Sequence, residues 1–375
     1  MILTLAARNL FYDRIRLAVT LVGILFSIVL VAVQLGLYLG ARKTIVGMID
    51  HANADLWVVT YGAKSFEESQ LQSGRQRYVA LAVPGVQSVT PLVVSFVRWR
   101  KPEGGLVLSV LVGTDIADGG LEPWNVVEGR AASLREPDAI GVDRTYFKSL
   151  GIKGVGDTAE LLGHRVRVAT VTDGIRSFTM SPYLWTTTDR ARQMIKATGD
   201  EATFYLVKVR PGFDIEAVRR DIQASTDDTE VLTVAEFRDR SLRHWLFGTG
   251  AGVALIGGAV LGLLVGTVIV AQTLYSSTKD HLTEFATLRA LGSSTGYIRK
   301  VIMTQAGLSA VLGYVLGMSI ALLVVLASQS SALPIVMTGE LALLLFLLTL
   351  GMCMISAISA IFKVTRLDPA MVFAR

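Results

Sequence analysis

Four stretches of the chain contain no Asp, Glu, Lys, Arg or His: Leu17–Ala41, Trp245–Thr278, Val301–Gly339 and Leu341–Phe362. A helix that crosses a bilayer needs about 20 apolar residues at about 1.5 Å each, and every stretch reaches that length. The third holds a single span, about 301–327, because the polar run Ser328–Ala332 and then Pro334 follow it. The pattern predicts four transmembrane helices, at 17–41, 245–276, 301–327 and 341–362. A signal peptide is the alternative for the first, since Arg8, Arg14 and Arg16 precede it. Its apolar run is too long for that and ends in Ala41-Arg42-Lys43, so it reads as a retained helix.

Residues 42–244 follow a different rhythm, with short apolar runs between polar turns. Asp55–Thr60, Val86–Arg100, Leu106–Thr114, His164–Thr172 and Thr203–Val209 read as strands. Lys101-Pro102-Glu103-Gly104-Gly105 makes the turn between the second and third of these. Ser69–Val83, Asp189–Thr198 and Ile215–Ser225 read as helices, and Gly119–Gly156 as turn-rich with a short helix near Arg144–Leu150. The expectation is a large α+β domain inserted between helices 1 and 2. Gly40–Asn53 and Val234–His244 lack strong helix breakers, which predicts a two-helix stalk under the domain; two ordinary linkers are the alternative.

Composition supports a membrane protein: 51% of the 375 residues are hydrophobic and 18% charged, with mean hydropathy +0.51. A soluble domain carries about 25% charged residues. The net charge of +5 invites a nucleic-acid reading, but its location removes it. Residues 42–244 carry 26 basic and 26 acidic side chains, so the excess lies in the membrane segments' flanks. Those flanks are Arg8, Arg14 and Arg16, the 277–300 loop with Lys279, Arg289, Arg299 and Lys300, and the tail with Lys363, Arg366 and Arg375. The 328–340 loop has no basic residue. By the positive-inside rule both termini and the 277–300 loop are cytoplasmic, and residues 42–244 lie on the far side. The expected location is a bacterial inner membrane, with residues 1–16 a cytoplasmic amphipathic lead-in helix and 363–375 a cytoplasmic tail.

Candidate chemistry is sparse. Gly62-Ala63-Lys64-Ser65 lacks the Gly-Lys and the upstream glycine of a phosphate-binding loop. Gly292-Ser293-Ser294-Thr295-Gly296 matches a nucleophile-elbow pattern, but no histidine follows His281 to serve it. The four histidines have no metal-ligand spacing, and the single Cys353 forms no intrachain disulfide. The spans lack the ionisable groups that ion-coupled carriers use. They do carry small residues at fixed intervals: Gly248 and Gly252, then Gly258, Gly262 and Gly266, and on helix 3 Gly313 and Gly317. Such stripes let helices approach closely, either within one chain or against a second copy. No catalytic residue, metal or cofactor is expected.

The stretch Tyr275–Leu316 resembles the FtsX/MacB-type ABC transporter permeases, whose signature is an acidic residue, a few apolar residues and Leu-Arg-Ala-Leu-Gly before a membrane helix. Glu284, Leu288, Arg289, Ala290, Leu291 and Gly292 match it in order. Arg366-Leu367-Asp368-Pro369-Ala370 resembles the family's closing element, and Ala7-Arg8-Asn9-Leu10 its opening helix. Asp55-Leu56-Trp57-Val58-Val59 resembles the DevC-like branch, whose members work with a separate ATPase and a membrane-fusion protein.

The resemblance implies a permease subunit of an ATP-driven exporter, served by a separate ABC ATPase in a 2:2 assembly. It also implies a second copy of the chain, a periplasmic membrane-fusion adaptor, an outer-membrane channel and an amphiphilic substrate. Lys279–Leu291 then forms a coupling helix, with Leu282, Phe285, Leu288 and Leu291 on its apolar side, Glu284 and Arg289 supplying charge, and Gly292 ending it. A surface helix lying on the lipid headgroups is the plainer reading of the same pattern. The alternative function is an FtsX-like mechanotransmitter that transports nothing and switches on an extracytoplasmic enzyme.

Overall fold

The longest charge-free stretch of the N-terminal half folds as part of one unbroken helix, Arg14–His51, in the computed structural model. The structure describes residues 2–116, 119–280 and 294–365. Before that helix, Ile2–Tyr12 forms a separate helix, so the lead-in ends sooner than residue 16. Asp13 is the break: its Oδ1 accepts the Arg16 amide at 3.0 Å and its carboxylate pairs with the Arg16 guanidinium at 3.4 Å, which caps the long helix. The other membrane helices are Ala251–Asp280, Thr295–Ser328 and Gly339–Thr365. All four are long and apolar enough to span a bilayer.

The chain divides into two compact units. The membrane unit comprises residues 1–39, 253–329 and 334–375. Its core joins Ile24 and Ile28 of the first helix to Val270, Ile302, Ala306, Cys353 and Ala357 of the others. Hydroxyls tie the helices where water is absent. Ser27 Oγ donates to the Gly262 carbonyl at 2.8 Å, Ser356 Oγ to Thr267 at 2.9 Å, and Tyr314 OH to Ala342 at 2.9 Å.

The second unit, residues 40–252 with 330–333, is built on one ten-stranded sheet. In chain order the strands are β1 (Leu56–Thr60), β2 (Val86–Arg100), β3 (Leu106–Thr114), β4 (Val126–Gly129), β5 (Ala139–Asp143), β6 (Thr158–Leu161), β7 (His164–Thr172), β8 (Tyr183–Thr187), β9 (Phe204–Val209) and β10 (Thr229–Thr233). They are ordered β10-β1-β9-β2-β3-β8-β5-β7-β4, with β6 bridging β2 and β7. The β3–β8 and β5–β7 pairs are parallel and the rest antiparallel. Both faces of the central strands are covered, which is why they read as continuous apolar runs. Leu56 and Val58 of β1 enter one core with Val93 and Leu111, while Trp57 and Val59 enter another with Leu92, Val112 and Trp185.

Three departures from the sequence expectations have clear causes. The Ser69–Val83 helix shrinks to Arg75–Leu81, because Gln72 exchanges backbone hydrogen bonds with Ala202 instead. Gln72 Nε2 also donates to the carbonyls of Val58 at 2.9 Å and Thr203 at 3.1 Å, fixing the segment against two strands. The turn-rich reading of Gly119–Gly156 misses β5, whose five residues are all buried and so show no alternation. The second stalk helix does not run straight into the membrane. Val234–Leu242 gives way to a π-helical turn, Arg243–Gly248, and Gly250 then takes φ +78° before the helix restarts at Ala251.

Candidate functional site

The small residues of the membrane helices come together around one partner, the Arg14–His51 helix of the same chain. A Cβ built on Gly262 would meet Leu30 Cδ2 at 3.0 Å and Val31 Cγ2 at 3.3 Å. On Gly266 it would meet Ser27 Cβ and Oγ at 2.5 Å and Met352 Sδ at 2.7 Å, and on Gly258 it would meet Gln34 Nε2 at 2.7 Å. From the third helix, Gly313 faces Ile24 and Gly317 faces Ile28, the latter at 3.0 Å. The first helix therefore sits in a notch lined by glycines of the second and third. This face is occupied from within the chain, so it is not available to a second copy.

Gly248 and Gly252 do not belong to that face. Gly248 closes the π turn, where an added Cβ would lie 3.5 Å from His244 Nδ1, and on Gly252 it would lie 2.8 Å from Leu246 Cβ, both in the sheet-bearing unit. Their four-residue spacing imitates a helical stripe, but the chain between them is broken at Gly250. Two further glycines, outside the stripes named from the sequence, are also closely packed. A Cβ on Gly23 would strike Ile269 at 2.5 Å, and Gly36 lies against Ile335. They stand on the first helix itself, and Gly36 is followed four residues later by Gly40, a spacing of the same kind as the stripes on the other helices.

The coupling candidates Leu282, Glu284, Phe285, Leu288, Arg289, Leu291 and Gly292 lie outside the described residues, as does the Arg366–Ala370 element.

In the sheet-bearing unit, the polar side chains cluster around the return helix Val234–Leu242. Thr233 and Glu236 form a capping box at its start. Arg240 pairs with Glu230 at 2.5 Å and donates to the Ala63 carbonyl at 3.3 Å. Arg238 pairs with Asp50 at 3.2 Å; burial pushes the Asp50 carboxyl upward against the pull of Arg238. In the π turn, His244 Nε2 approaches Glu68 Oε2 to 3.0 Å and Trp245 packs on Phe178 with ring centroids 5.3 Å apart.

Beside Glu68, the buried Glu67 accepts three hydroxyls: Ser177 at 2.6 Å, Thr179 at 2.8 Å and Tyr183 at 2.5 Å. Burial and then the Glu67 charge push the Tyr183 phenol well above its ordinary value. By local pattern alone Glu67-Glu68 stands in a polar stretch typical of solvated surface. The donors come from residues more than a hundred positions away, which no local pattern announces. The cluster has the traits of a strut. Each Glu67 oxygen is engaged by hydroxyls held in place, and the described residues contain no group of His, Cys, Asp and Glu able to hold a metal.

Residues 17–225 match the family model of the MacB-like periplasmic core domain, and residues 256–369 match that of the FtsX-like permease C-terminal region. An uncharacterized ABC transporter permease of Mycobacterium tuberculosis (strain H37Rv) is 25% identical over 378 residues, covering 98% of both chains. The macrolide export ATP-binding/permease protein MacB of Sodalis glossinidius is 26% identical over 344 residues, covering 85% of this chain and 52% of that protein. Among solved structures, the periplasmic region of MacB from Actinobacillus actinomycetemcomitans aligns with a TM-score of 0.40 and 13% identity over 51% of this chain and 94% of that one. The extracellular domain of YknZ from Gram-positive bacteria aligns with 0.36 and 13% over 48% and 99%.

Proposed function

The chain belongs to the family of MacB/FtsX-type ABC transporter permeases, and from that membership we propose that it is the membrane subunit of an ATP-driven exporter. A separate ATPase subunit hydrolyses the nucleotide, two copies of each assemble, and the Lys279–Leu291 segment docks into the ATPase. The large domain lies outside the cytoplasm of an inner membrane with both termini inside. Its movement expels or extracts an amphiphile, with a membrane-fusion adaptor and an outer-membrane channel as partners. The second copy meets this chain on a face other than the glycine notch.

One observation carries this reading: the unbroken helix Arg14–His51, which roots Ile24 and Ile28 in the membrane core and Met48 and Ile49 in the core beneath β1. Only four residues separate its end from the strand. A helix with both ends packed transmits a shift along its axis, whereas a flexible linker absorbs it. The absence of a nucleotide-binding motif and of ionisable side chains in the spans supports the same reading, since neither ATP hydrolysis nor ion coupling has residues to run on.

The test breaks the helix where its side chain is not used. Lys43 is exposed, so Lys43→Pro alters the backbone alone, removing one hydrogen bond at a cost of about 3 kcal/mol. The variant should still insert and recover the ATPase. Cells relying on it should lose resistance to a panel of amphiphilic dyes and detergents. Wild-type resistance with Lys43→Pro would sink the transmission reading, and tight ATP hydrolysis by the purified chain alone would sink the permease assignment.

A further inference from the structure

Apart from the glycine notch, the membrane unit carries an open groove. A groove of about 640 Å3 opens between the Ile2–Tyr12 helix and the helices Thr295–Ser328 and Gly339–Thr365. That volume falls within the roughly 300–1,000 Å3 of small-molecule sites. Its walls are apolar: Leu3 on one side, Met303, Gly307 and Val311 along the floor, and Met354 opposite. Arg299 and Lys300, both exposed, stand at one end. Arg299, Met303, Gly307 and Val311 follow each other at four-residue intervals, so one helix face runs from a cation to an apolar track.

We infer that this groove binds an anionic phospholipid, with its phosphate between Arg299 and Lys300 and one acyl chain laid along Met303, Gly307 and Val311. The order of charge and apolarity along the groove is that of the lipid. Among the described residues that line it there is no acidic side chain to set against the two cations. That argues against a second copy of the chain as occupant, because a two-fold contact through this face would set the basic pair against itself. Gly307 keeps the floor low: a Cβ there would meet only Met354 Cε, at an ordinary 3.5 Å, so the space above is open. The bound lipid would tie the N-terminal helix to the third membrane helix.

The inference requires only that the chain sits in a bilayer and not a particular orientation, coupling scheme or substrate. The probe is native mass spectrometry of the purified full chain in detergent, titrated with phosphatidylglycerol or phosphatidylcholine of identical acyl chains. The wild type should retain one phosphatidylglycerol with about tenfold or more preference, as two basic side chains near a headgroup supply. Arg299→Gln with Lys300→Gln should equalise the two lipids. Gly307→Phe should lose both, and Val311→Trp, at an exposed position, serves if Gly307→Phe does not fold. Equal retention of the two lipids by wild type would overturn the assignment. So would an unchanged preference in the double variant or undiminished retention in the filled grooves. A dimer that dissociates on filling, with no lipid retained, would give the groove to a second copy.

Discussion

Gly266→Ala, set against Gly257→Ala on the same helix, isolates the energetic role of the glycine notch. At Gly257 a Cβ would meet nothing within 4 Å, so the substitution brings only the helix-propensity gain of about 1 kcal/mol. At Gly266 the new methyl would lie 2.5 Å from Ser27 Cβ and 2.7 Å from Met352 Sδ. Ser27 Cβ is fixed to the backbone of the neighbouring helix, so relief requires the helices to part. Overpacking of this kind costs about 1–3 kcal/mol. Displacing Ser27 also strains its 2.8 Å hydrogen bond to Gly262, worth about 0.6 kcal/mol in a membrane. Against the propensity gain, the net loss is about 0.5–2.5 kcal/mol.

The chain supplies its own reporters for that experiment. Cys353 is the only thiol and is buried in the membrane core, so its reaction with a maleimide dye on heating follows the opening of that unit. All five tryptophans lie in residues 40–252, so their fluorescence follows the sheet-bearing unit. At about 2–4 °C per kcal/mol, Gly266→Ala should lower the thiol transition by several degrees and leave the tryptophan transition in place. Gly257→Ala should leave the thiol transition unchanged or raise it slightly. Coincident thiol transitions for the two variants would refute the notch as a packing face.

Other expectations can be checked separately. Phe285→Ala, Leu288→Ala and Glu284→Lys should each reduce recovery of the ATPase with the permease by about tenfold or more, from the roughly 1.5–3 kcal/mol of burying one such apolar side chain or from charge reversal beside it; wild-type pull-down by all three would remove the coupling helix. Single cysteines at Ser133 and Asp228, in a Cys353→Ala background, should label with an impermeant reagent on intact spheroplasts, and one at Ser293 only after lysis; outside labelling at 293 would invert the topology. Folding raises the Tyr183 phenol above its unfolded value near 10, so its share of stability is complete below about pH 10 and declines as pH rises toward the folded value. Tryptophan-monitored urea unfolding should show that decline, and Tyr183→Phe should flatten it while costing about 1–3 kcal/mol at neutral pH; an unchanged alkaline slope would mean that another group governs it.

What was legible in the sequence was whatever depends on uninterrupted local pattern. The four spans, the β2–β3 hairpin and the Ile215–Ser225 helix each carry a period or a charge-free length that survives folding. The family motifs were equally local. The rest depended on distant partners. β5 is buried on both faces because Ile140 and Val142 enter one core while Gly141 lies against Trp185 and Leu134 of the other, and Glu67 is buried among Ser177, Thr179 and Tyr183, which reach it from afar. The glycine spacing revealed a packing face without naming what packs there. It also swept in Gly248 and Gly252, since spacing does not register a helix that stops between them. The residues expected to couple are read from their motif alone and lie outside the described part of the chain.

Strand β2 has a consequence for how this domain can diverge. From Val89 to Val94 every side chain is buried, whichever way it points, because layers cover the sheet above and below. From Phe96 onward only alternate residues are buried: Val97 and Trp99 are inside while Phe96, Arg98 and Arg100 face solvent. One continuous strand thus obeys two rules of substitution. Between Val89 and Val94 a charge at any position leaves an unpaired ion in a dry layer, so related chains can exchange there only among apolar or hydrogen-bonded residues. In its second half every other position is free to change type without cost to the core. Leu106 and Leu108 on the paired strand share that freedom, and drift within the hairpin would alter what this end of the domain displays while its centre stays fixed.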